Sequence, residues 1–290
     1  DFLIMGAAAD LQWTINVLGK RFEIKSQILG PEESFVKEIR ILNRTIRWRK
    51  EGIEYEPDSR HATMIIKDLR LDLSKGVSTP GINDDGDAAG TSKLRGGDAG
   101  SILTDFTEPI TEEWQSDELY RGITARINYL SLDRPDLQFA SKGASQFMSA
   151  PCSLGWQRLK RIGKYLLRHP VAVQSFPFGT GGFHITADGD SDWAGDKRTR
   201  KSTSGGALRL GSHLIKSLSS TQQSISLSSA EAELYAMCKA AVQAVGLSQL
   251  LRDFGRTTTI TVQSDSSAAL AISGMPFLGP VGASRVGFIK

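Results

Sequence analysis

The sequence predicts an α/β protein in which a mixed sheet with flanking helices occupies the C-terminal part, after an α+β region. Two observations lead to this prediction. From residue 173 onward, stretches of alternating apolar and polar residues surround one long helical stretch. Before residue 173, a hairpin pattern and several charged helical stretches follow one another. With 290 residues the chain has the length of about two domains.

The composition is that of a globular protein from a reducing compartment. Hydrophobic residues make up 40% and charged residues 23%, which excludes fibrous, disordered and membrane-embedded classes. The net charge of +3 permits nucleic-acid binding without requiring it. Cys152 and Cys238 are too few for a disulfide framework, and no CxxC pair indicates zinc. The apolar stretch 2–9 is too short for a membrane span and lacks the basic start of a signal peptide. We therefore expect an intracellular protein, cytoplasmic or nuclear, without membrane contact.

The first part of the chain, 1–78, mixes strand-like runs with charged helical stretches. From Leu42 to Glu56, apolar and polar residues alternate on both sides of a Glu51-Gly52 turn, which predicts a hairpin. A flexible linker is predicted next, at 79–105, because most of this stretch is rich in Gly and Asp and almost free of large apolar groups.

Residues 106–172 are predicted to be helical, since apolar residues recur at helical spacing and prolines separate the stretches. In the last helix an apolar stripe that includes Trp156 and Leu159 is ringed by basic residues from Arg158 to Arg168. The basic ring is either a solvated helix face, which is the commoner case, or a face that contacts phosphates.

Residues 173–290 carry the sheet pattern. From Phe183 to Asp190, apolar side chains occupy one face and polar ones the other, so a half-buried strand ends in acids. Two further strands are predicted at 205–210 and 214–218, around a Gly-Ser turn. A long helix follows at 229–254 and is ended by Gly255, and a last strand at 259–265 precedes a short helix.

Three acids of this region, Asp190, Glu233 and Asp265, could meet at one edge of the sheet. Asp190 and Asp265 end strands, and α/β sheets build their sites at strand ends and adjoining helices. Glu233 shares its helical stripe with small apolar residues whereas Glu231 does not, so Glu233 is predicted to point inward. A carboxylate cluster without His or Cys favours a hard cation such as Mg²⁺, which commonly serves phosphoryl chemistry.

Each acid also has an ordinary explanation that spacing leaves open. Asp265 stands before Ser-Ser-Ala-Ala and is suited to cap a helix. Asp190 could belong to an acidic turn with Asp188 and Asp192, and Glu233 could be a half-exposed helix residue. From the spacing alone, these explanations outweigh a metal site.

Three ordered blocks resemble the ribonuclease H domain of copia-type long-terminal-repeat retrotransposons. They read DSDWAGD followed by KRTRKSTSGG, then SSAEAELYA, then VQSDSSAALAI, at 190–206, 228–236 and 262–272. Upstream, residues 119–151 resemble the connection region between polymerase and nuclease. Asp1-Phe2-Leu3 resembles the end of the polymerase motif with two aspartates. The resemblance therefore extends over nearly the whole chain.

The resemblance implies a ribonuclease H-like mixed sheet at 173–290, C-terminally incomplete, after a helical connection region at 106–172 and a reverse transcriptase palm-edge and thumb remnant at 1–78. It also implies hydrolysis of RNA in an RNA–DNA hybrid. In that mechanism two Mg²⁺ ions, held here by Asp190, Glu233 and Asp265, orient a water for in-line attack and stabilise the leaving oxygen. The partners implied are an RNA–DNA hybrid or other nucleic acid and the rest of the Pol polyprotein.

Four basic residues follow the first acid and are candidates for nucleic-acid binding: Lys197, Arg198, Arg200 and Lys201. They either grip substrate phosphates or form a solvated basic turn. The hydroxyl residues after them, 202–204, are expected to shape that turn.

Both ends of the sequence lower the expected activity. The resemblance places the start of the chain at the second polymerase aspartate, so we expect no nucleotide addition. Copia-type nucleases continue into an Arg-His-Ile-Asp-like segment with a fourth carboxylate, but residues 279–290 contain no Asp, Glu or His. We expect weak or absent hybrid cleavage. The alternatives are a non-catalytic nucleic-acid-binding or inert transposon remnant and an unrelated metal nuclease.

Overall fold

Two sheets and seven α-helices make up the parts of the chain that the computed structural model describes, residues 2–82, 112–179 and 182–274 together with the backbone of 286–289. The chain divides into two compact units, 1–59 with 171–178 and 60–170 with 179–290. The predicted α/β class is confirmed, because the described residues form both helices and sheets, and the helix Ser229–Asp253 of the second unit packs on the strands of its sheet.

The first unit contains helix α1 (Ala8–Gly19) and a four-stranded antiparallel sheet. The sheet is ordered β1 (Glu38–Ile41), β2 (Arg44–Trp48), β3 (Gly52–Glu56) and β4 (Gln174–Pro177). Strands β2 and β3 form the hairpin predicted between Leu42 and Glu56. Gly52 is needed where it stands, because a Cβ atom there would overlap the Phe176 carbonyl oxygen of β4.

The division into units differs from the predicted segments at both boundaries. The sequence pattern predicts that residues 60–78 belong to the first segment, but helix α2 (Arg60–Asp68) buries Ala62 and Ile65 in the core of the second unit. Residues 173–178 were grouped with the last segment, but β4 pairs with β3. The predicted linker, 79–105, lies outside the described residues apart from its first four.

Four helices form the first hydrophobic core of the second unit: α2, α3 (Asp117–Ser131), α4 (Gln138–Ser145) and α5 (Ser153–Arg168). The predicted apolar stripe of α5 is confirmed, since Trp156, Leu159, Ile162, Gly163 and Leu166 are all buried. Burial of such side chains stabilises a fold by roughly 1.5–3 kcal/mol each relative to exposure. The stripe therefore explains why α5 lies at the centre of this core.

The Arg-Pro-Asp stretch between α3 and α4 ties down the end of α5. Arg134 is 1% exposed and forms an ion pair with Asp136. Its guanidinium also donates to the carbonyl oxygens of His169 and Pro170, at 3.1 and 3.5 Å. These carbonyls follow the last turn of α5, where no intrahelical donor remains. The buried arginine thus satisfies a helix end that would otherwise lack partners.

The second sheet is mixed, as predicted. Its order is β7 (His213–Thr221), β6 (Thr203–Leu210), β5 (His184–Asp192), β8 (Thr259–Gln263) and β9 (Val286–Ile289). Strands β5 to β7 pair antiparallel, whereas β8 runs parallel to β5 and β9 parallel to β8. Parallel pairing of β5 and β8 brings their carboxyl ends to the same edge of the sheet.

Helix α6 (Ser229–Asp253) packs on this sheet through the stripe of small residues that the sequence predicts. Ala236, Met237, Ala240 and Ala244 are buried against residues of β5 and β8. The helix ends where predicted, with Gly255 in the left-handed region at φ +71°. Among the described residues it is also the one helix that is long and apolar enough to cross a membrane. Core helices of globular proteins pass the same criterion, and the apolar stripe of α6 packs on the sheet.

Candidate metal centre

Gly189 allows helix α6 to approach strand β5 closely. A Cβ atom at this position would lie 3.0 Å from backbone atoms of Ala236 and Met237, so helix and strand pack backbone against backbone. Glu233 lies three residues before Ala236 on the helix. The close contact therefore brings the Glu233 side chain to the carboxyl end of β5.

Asp190, Glu233 and Asp265 come together at this edge of the sheet. Each offers a carboxylate oxygen, and the three oxygens all lie within 4.8 Å of one another. Asp190 is close to the end of β5, and Asp265 follows the end of β8, which is the parallel neighbour of β5. Asp190 and Asp265 are exposed and Glu233 is half-buried. The proximity expected from the strand ends is thus present.

Glu233 has one oxygen that is hydrogen-bonded and one that is not. Ser191 donates to Oε1 twice, from its backbone nitrogen at 3.2 Å and from its hydroxyl at 2.8 Å. Oε2 is buried and has no hydrogen-bond partner among the described residues. Burial raises the pKa of Glu233 above its ordinary value, and the neighbouring charges of Asp190 and Asp265 raise it further against the Ser191 hydrogen bonds. The carboxylate is therefore poorly compensated as it stands.

The donor set fits a hard divalent cation. Three carboxylates converge, one with a buried oxygen that lacks a partner, and like charges this close repel one another unless a proton or a cation lies between them. Carboxylate oxygens are the ligands that Mg²⁺ prefers in proteins. Asp190, Glu233 and Asp265 are thus the residues that could hold such an ion.

The ordinary explanations for two of the acids are wrong. Ser266, not Asp265, caps the short helix α7 (Ser267–Ser273), because its hydroxyl accepts from the Ala269 nitrogen at 3.2 Å. Asp190 lies within a regular strand rather than in a turn. Glu233 is half-buried, which agrees with the alternative that it is a half-exposed helix residue. That description does not account for the buried oxygen without a partner.

Comparison with known proteins decides the family. The chain is 35% identical over 261 residues to the retrovirus-related Pol polyprotein from transposon RE2 of Arabidopsis thaliana, over 88% of this chain and 16% of that polyprotein. It is 35% identical over 157 residues to the RE1 polyprotein of the same plant, over 54% of this chain and 10% of that protein. The tobacco (Nicotiana tabacum) polyprotein from transposon TNT 1-94 is 28% identical over 279 residues, 94% of this chain and 19% of that protein.

The chain belongs to the copia-type retrovirus-related Pol polyproteins. The resemblance found in the ordered sequence blocks is thereby confirmed. No protein-family profile matches the chain. The chain spans less than a fifth of the length of each of the three polyproteins, so it corresponds to one segment of a larger polyprotein.

A buried glutamine that sequence reasoning missed links strand and helix behind the acids of this Pol segment. The Gln222 amide donates to the Ser204 hydroxyl at 3.0 Å and to the Ala232 carbonyl oxygen at 2.9 Å. Its own oxygen accepts from the Ser226 hydroxyl at 2.8 Å. Ala232 directly precedes Glu233, so Gln222 helps to fix the start of α6 relative to β6. No local pattern identifies this glutamine, because its partners are distant in sequence.

The hydroxyl residues after the basic stretch do more than shape a turn. Ser202, Thr203 and Ser204 are all buried. The Ser202 hydroxyl accepts from the backbone nitrogen of Ala194, whose φ of +52° lies in the left-handed region. This bond holds an unusual backbone conformation directly after β5. The segment thus anchors the loop that follows the first acid.

The basic stretch of the Pol segment is an ordered loop around Asp196. The Asp196 carboxylate accepts from the backbone nitrogens of Arg198 and Thr199, at 3.0 and 3.1 Å. Burial acts to raise the pKa of Asp196, but the hydrogen bonds from Thr199 and Arg198 outweigh it and hold the pKa below its ordinary value. Of the four predicted nucleic-acid-binding residues, Lys197, Arg198 and Arg200 line a cavity of about 420 Å³. Lys201 is half-buried and is not among the residues that line this cavity.

Proposed function

We propose that this Pol segment is a Mg²⁺-dependent ribonuclease that hydrolyses the RNA strand of an RNA–DNA hybrid. In this proposal 179–290 is a ribonuclease H-like domain with a mixed sheet and flanking helices. Residues 106–170, together with α2, are the connection region, and the first unit is the remnant of the reverse transcriptase palm edge and thumb. The relatives support a polymerase-polyprotein origin, and the acid site supports phosphodiester chemistry.

One observation leads to the proposal. Carboxylate oxygens of Asp190, Glu233 and Asp265 lie within 4.8 Å of one another, and the buried Glu233 Oε2 has no hydrogen-bond partner among the described residues. Salt bridges to Lys or Arg are the usual way to compensate such a cluster, and the described residues offer the cluster none. A bound divalent cation would compensate the negative charge of the three carboxylates and would allow them to bind a substrate phosphate through the cation.

The chain's own residues have separable roles in this reaction. When bound, Mg²⁺ supplies an oriented water and stabilises charge on the leaving oxygen. Asp190 and Asp265 are the exposed acids and face the substrate, whereas Glu233 is held from behind by Ser191. In the hydrolysis, a bond forms between phosphorus and the water oxygen, one phosphorus–oxygen ester bond breaks, and the water proton passes to the leaving oxygen or to solvent. Lys197, Arg198 and Arg200 would hold substrate phosphates.

A second candidate function is nucleic-acid binding without cleavage, as a transposon remnant. The specific observation that favours it is that no Asp, Glu or His occurs from Ser266 to Lys290. A fourth anionic ligand would then have to come from outside this stretch. A cation held by fewer carboxylates binds more weakly and supports less catalysis.

The deciding experiment is cleavage of an end-labelled RNA strand in an RNA–DNA hybrid, with Mg²⁺ and with EDTA. We expect Mg²⁺-dependent cleavage that Asp190→Asn, Glu233→Gln and Asp265→Asn each abolish. The control Asp253→Asn removes an exposed acid at the far end of α6 and should leave cleavage unchanged. A second readout is the Mg²⁺-dependent rise in Tm, which a ligand of the native state must produce. A shift in Tm without cleavage would favour the second candidate. Absence of both the Tm shift and the cleavage would overturn the metal site.

A further inference from the structure

Two cavities adjoin on the face of the second sheet that carries Asp190. The smaller, of about 270 Å³, includes Asp190 and extends to Phe139 of α4. The larger, of about 420 Å³, extends from Phe139 to Arg200 of the basic loop. Because Phe139, Asp192 and Thr203 line both, the cavities form one groove from the acid site to the basic loop, which we name the α4 groove.

Gly205 lines the α4 groove without a side chain, although neither the backbone conformation nor the packing at this position requires glycine. It lies opposite Asp190 in the β5–β6 ladder. Its backbone is not in the left-handed region, and a Cβ atom there would meet only the Asp190 carbonyl oxygen, at an ordinary 3.8 Å. The next residue differs, because a Cβ atom at Gly206 would lie 2.5 Å from the Asp188 carbonyl oxygen. Close approach of a ligand to the backbone is one of the reasons for which a strand carries a glycine that packing does not require.

Phe139 provides an aromatic surface where the two cavities join. Its side chain is 54% exposed although it belongs to a helix that packs on the sheet. The Lys142 ammonium lies 5.7 Å from the centre of its ring and donates to the Thr203 hydroxyl at 2.6 Å. An exposed aromatic ring beside fixed cations is the arrangement on which single-stranded nucleic acids stack their bases.

The end of the α4 groove away from Asp190 is positively charged. Five cations line the larger cavity against two acids: Lys142, Arg158, Lys197, Arg198 and Arg200 against Asp192 and Asp196. Asp196 accepts hydrogen bonds from the backbone of its own loop, and Arg158 and Lys142 likewise donate to Gly143 and Thr203, so these contacts leave the excess of cations over acids in place. A surplus of cations along an elongated groove suits a polyanion that crosses several phosphates.

We propose that the α4 groove binds one strand of a nucleic acid, with a base stacked on Phe139, phosphates along the basic loop, and the strand passing over Gly205 toward Asp190. The inference rests on the proposed function, because it extends the same substrate from the acid site to the helical region. A small metabolite fits less well, since the groove comprises two adjoining cavities and its charged and aromatic groups are distributed over the lining of both. Phe139 is then a positioning residue contributed from outside the sheet.

The test is equilibrium binding of fluorescently labelled DNA, RNA and hybrid oligonucleotides to the full 290-residue chain in EDTA, followed by anisotropy. Phe139→Ala should weaken binding about tenfold, because loss of one stacked base has an effect of this order. Phe139→Tyr should restore binding. The matched control is Phe254→Ala, which removes another exposed phenylalanine, at the end of α6, and should change nothing. Gly205→Val should also weaken binding, since valine suits a strand and fills the groove floor.

Unchanged binding by Phe139→Ala overturns the α4 groove and leaves the cleavage proposal standing, because cleavage is measured separately. Failure of the unsubstituted chain to bind any of the three oligonucleotides also overturns the groove, and the separate cleavage assay in Mg²⁺ then decides the proposed function. Photo-cross-linking of a 5-iodouracil-substituted strand gives a readout that needs no substitution. An adduct on Phe139 supports the groove, and adducts confined to residues outside it overturn the groove. Relative affinity for the three oligonucleotides shows which strand the groove takes.

Discussion

Ser191 donates two hydrogen bonds to the same carboxylate oxygen of Glu233, one from its backbone and one from its hydroxyl. The pair fixes the glutamate from the side opposite to its free oxygen. Strand β5 therefore contributes to the acid site twice, through the carboxylate of Asp190 and through the residue directly after it. The orientation of Glu233 therefore depends on a serine hydroxyl as well as on the strand backbone.

Replacing that hydroxyl should weaken metal binding without removing a ligand. Loss of a residue that orients a metal ligand typically costs about 10–100-fold in affinity or activity, and we expect this range for Ser191→Ala. The measurement is the Mg²⁺ concentration needed to raise Tm. Ser248→Ala, which removes a hydroxyl bonded to Thr258 near the other end of α6, is the control. Equal Mg²⁺ titrations for both variants would refute the role of Ser191.

The raised pKa of Glu233 predicts a pH dependence of stability with a definite sign. Because its folded-state pKa exceeds the ordinary value of 4.5, the folded chain holds this proton more tightly than the unfolded chain. Without divalent cations, the free energy of unfolding should therefore fall as pH rises from 4.5 through the raised pKa. Glu233→Gln should remove this contribution, and Mg²⁺ should offset it. Urea unfolding across this pH range, with the exposed Glu113→Gln as control, measures the difference.

The backbone contact at Gly189 predicts a large effect of one methyl group. Gly189→Ala forces α6 away from β5, and overpacking of this kind costs about 1–3 kcal/mol. Since the contact also positions Glu233, Mg²⁺ binding should weaken in the same variant. On α6 itself, Gly246 is exposed with open space around it, so Gly246→Ala should instead stabilise by about 0.5–1 kcal/mol. Denaturant unfolding of both variants tests the contact, and similar values would contradict it.

The salt dependence of nucleic-acid binding distinguishes phosphate contacts made by the basic loop from the effect of the chain's overall positive charge. If Lys197, Arg198 and Arg200 bind phosphates, changing all three to Gln should flatten the plot of log affinity against log salt by about one unit for each phosphate that is no longer neutralised. Changing three exposed cations of the first unit, Lys20, Arg21 and Lys25, alters the net charge equally and should leave the slope as it is. The same slope in both triple variants would return the loop to a solvated basic turn.

Local pattern predicted those features that depend on neighbours in sequence. The inward position of Glu233 follows from the small residues that share its helical stripe, and the hairpin follows from alternation around Gly52. Asp265 and Ser266 are both suited to cap a helix, so the pattern could not choose between them. The choice depends on where the chain leaves β8. Spacing also could not show that Asp265 reaches the other acids, which takes the parallel pairing of β5 and β8.

Features that depend on distant pairing were missed. Helix α2 and the two leucines that follow it, Leu69 and Leu71, join a core whose other buried members come from 120–166. Strand β4 pairs with a strand that lies more than a hundred residues earlier. Gln222 is one polar residue in a serine-rich stretch, and only the folded contact with Ala232 gives it a role. Hydrophobic periodicity indicates which face of a helix or strand is buried, but it does not indicate which other element that face packs against.

The pairing of β4 with β3 makes the first unit discontinuous in sequence, which affects the order in which the protein can be completed on the ribosome. Three strands of its sheet emerge early, but the fourth emerges only after the whole of 60–170 has been synthesised. Until then β3 is an edge strand with unpaired backbone groups. Nascent chains of this transposon protein are therefore exposed to misassociation for longer than the length of the first unit suggests.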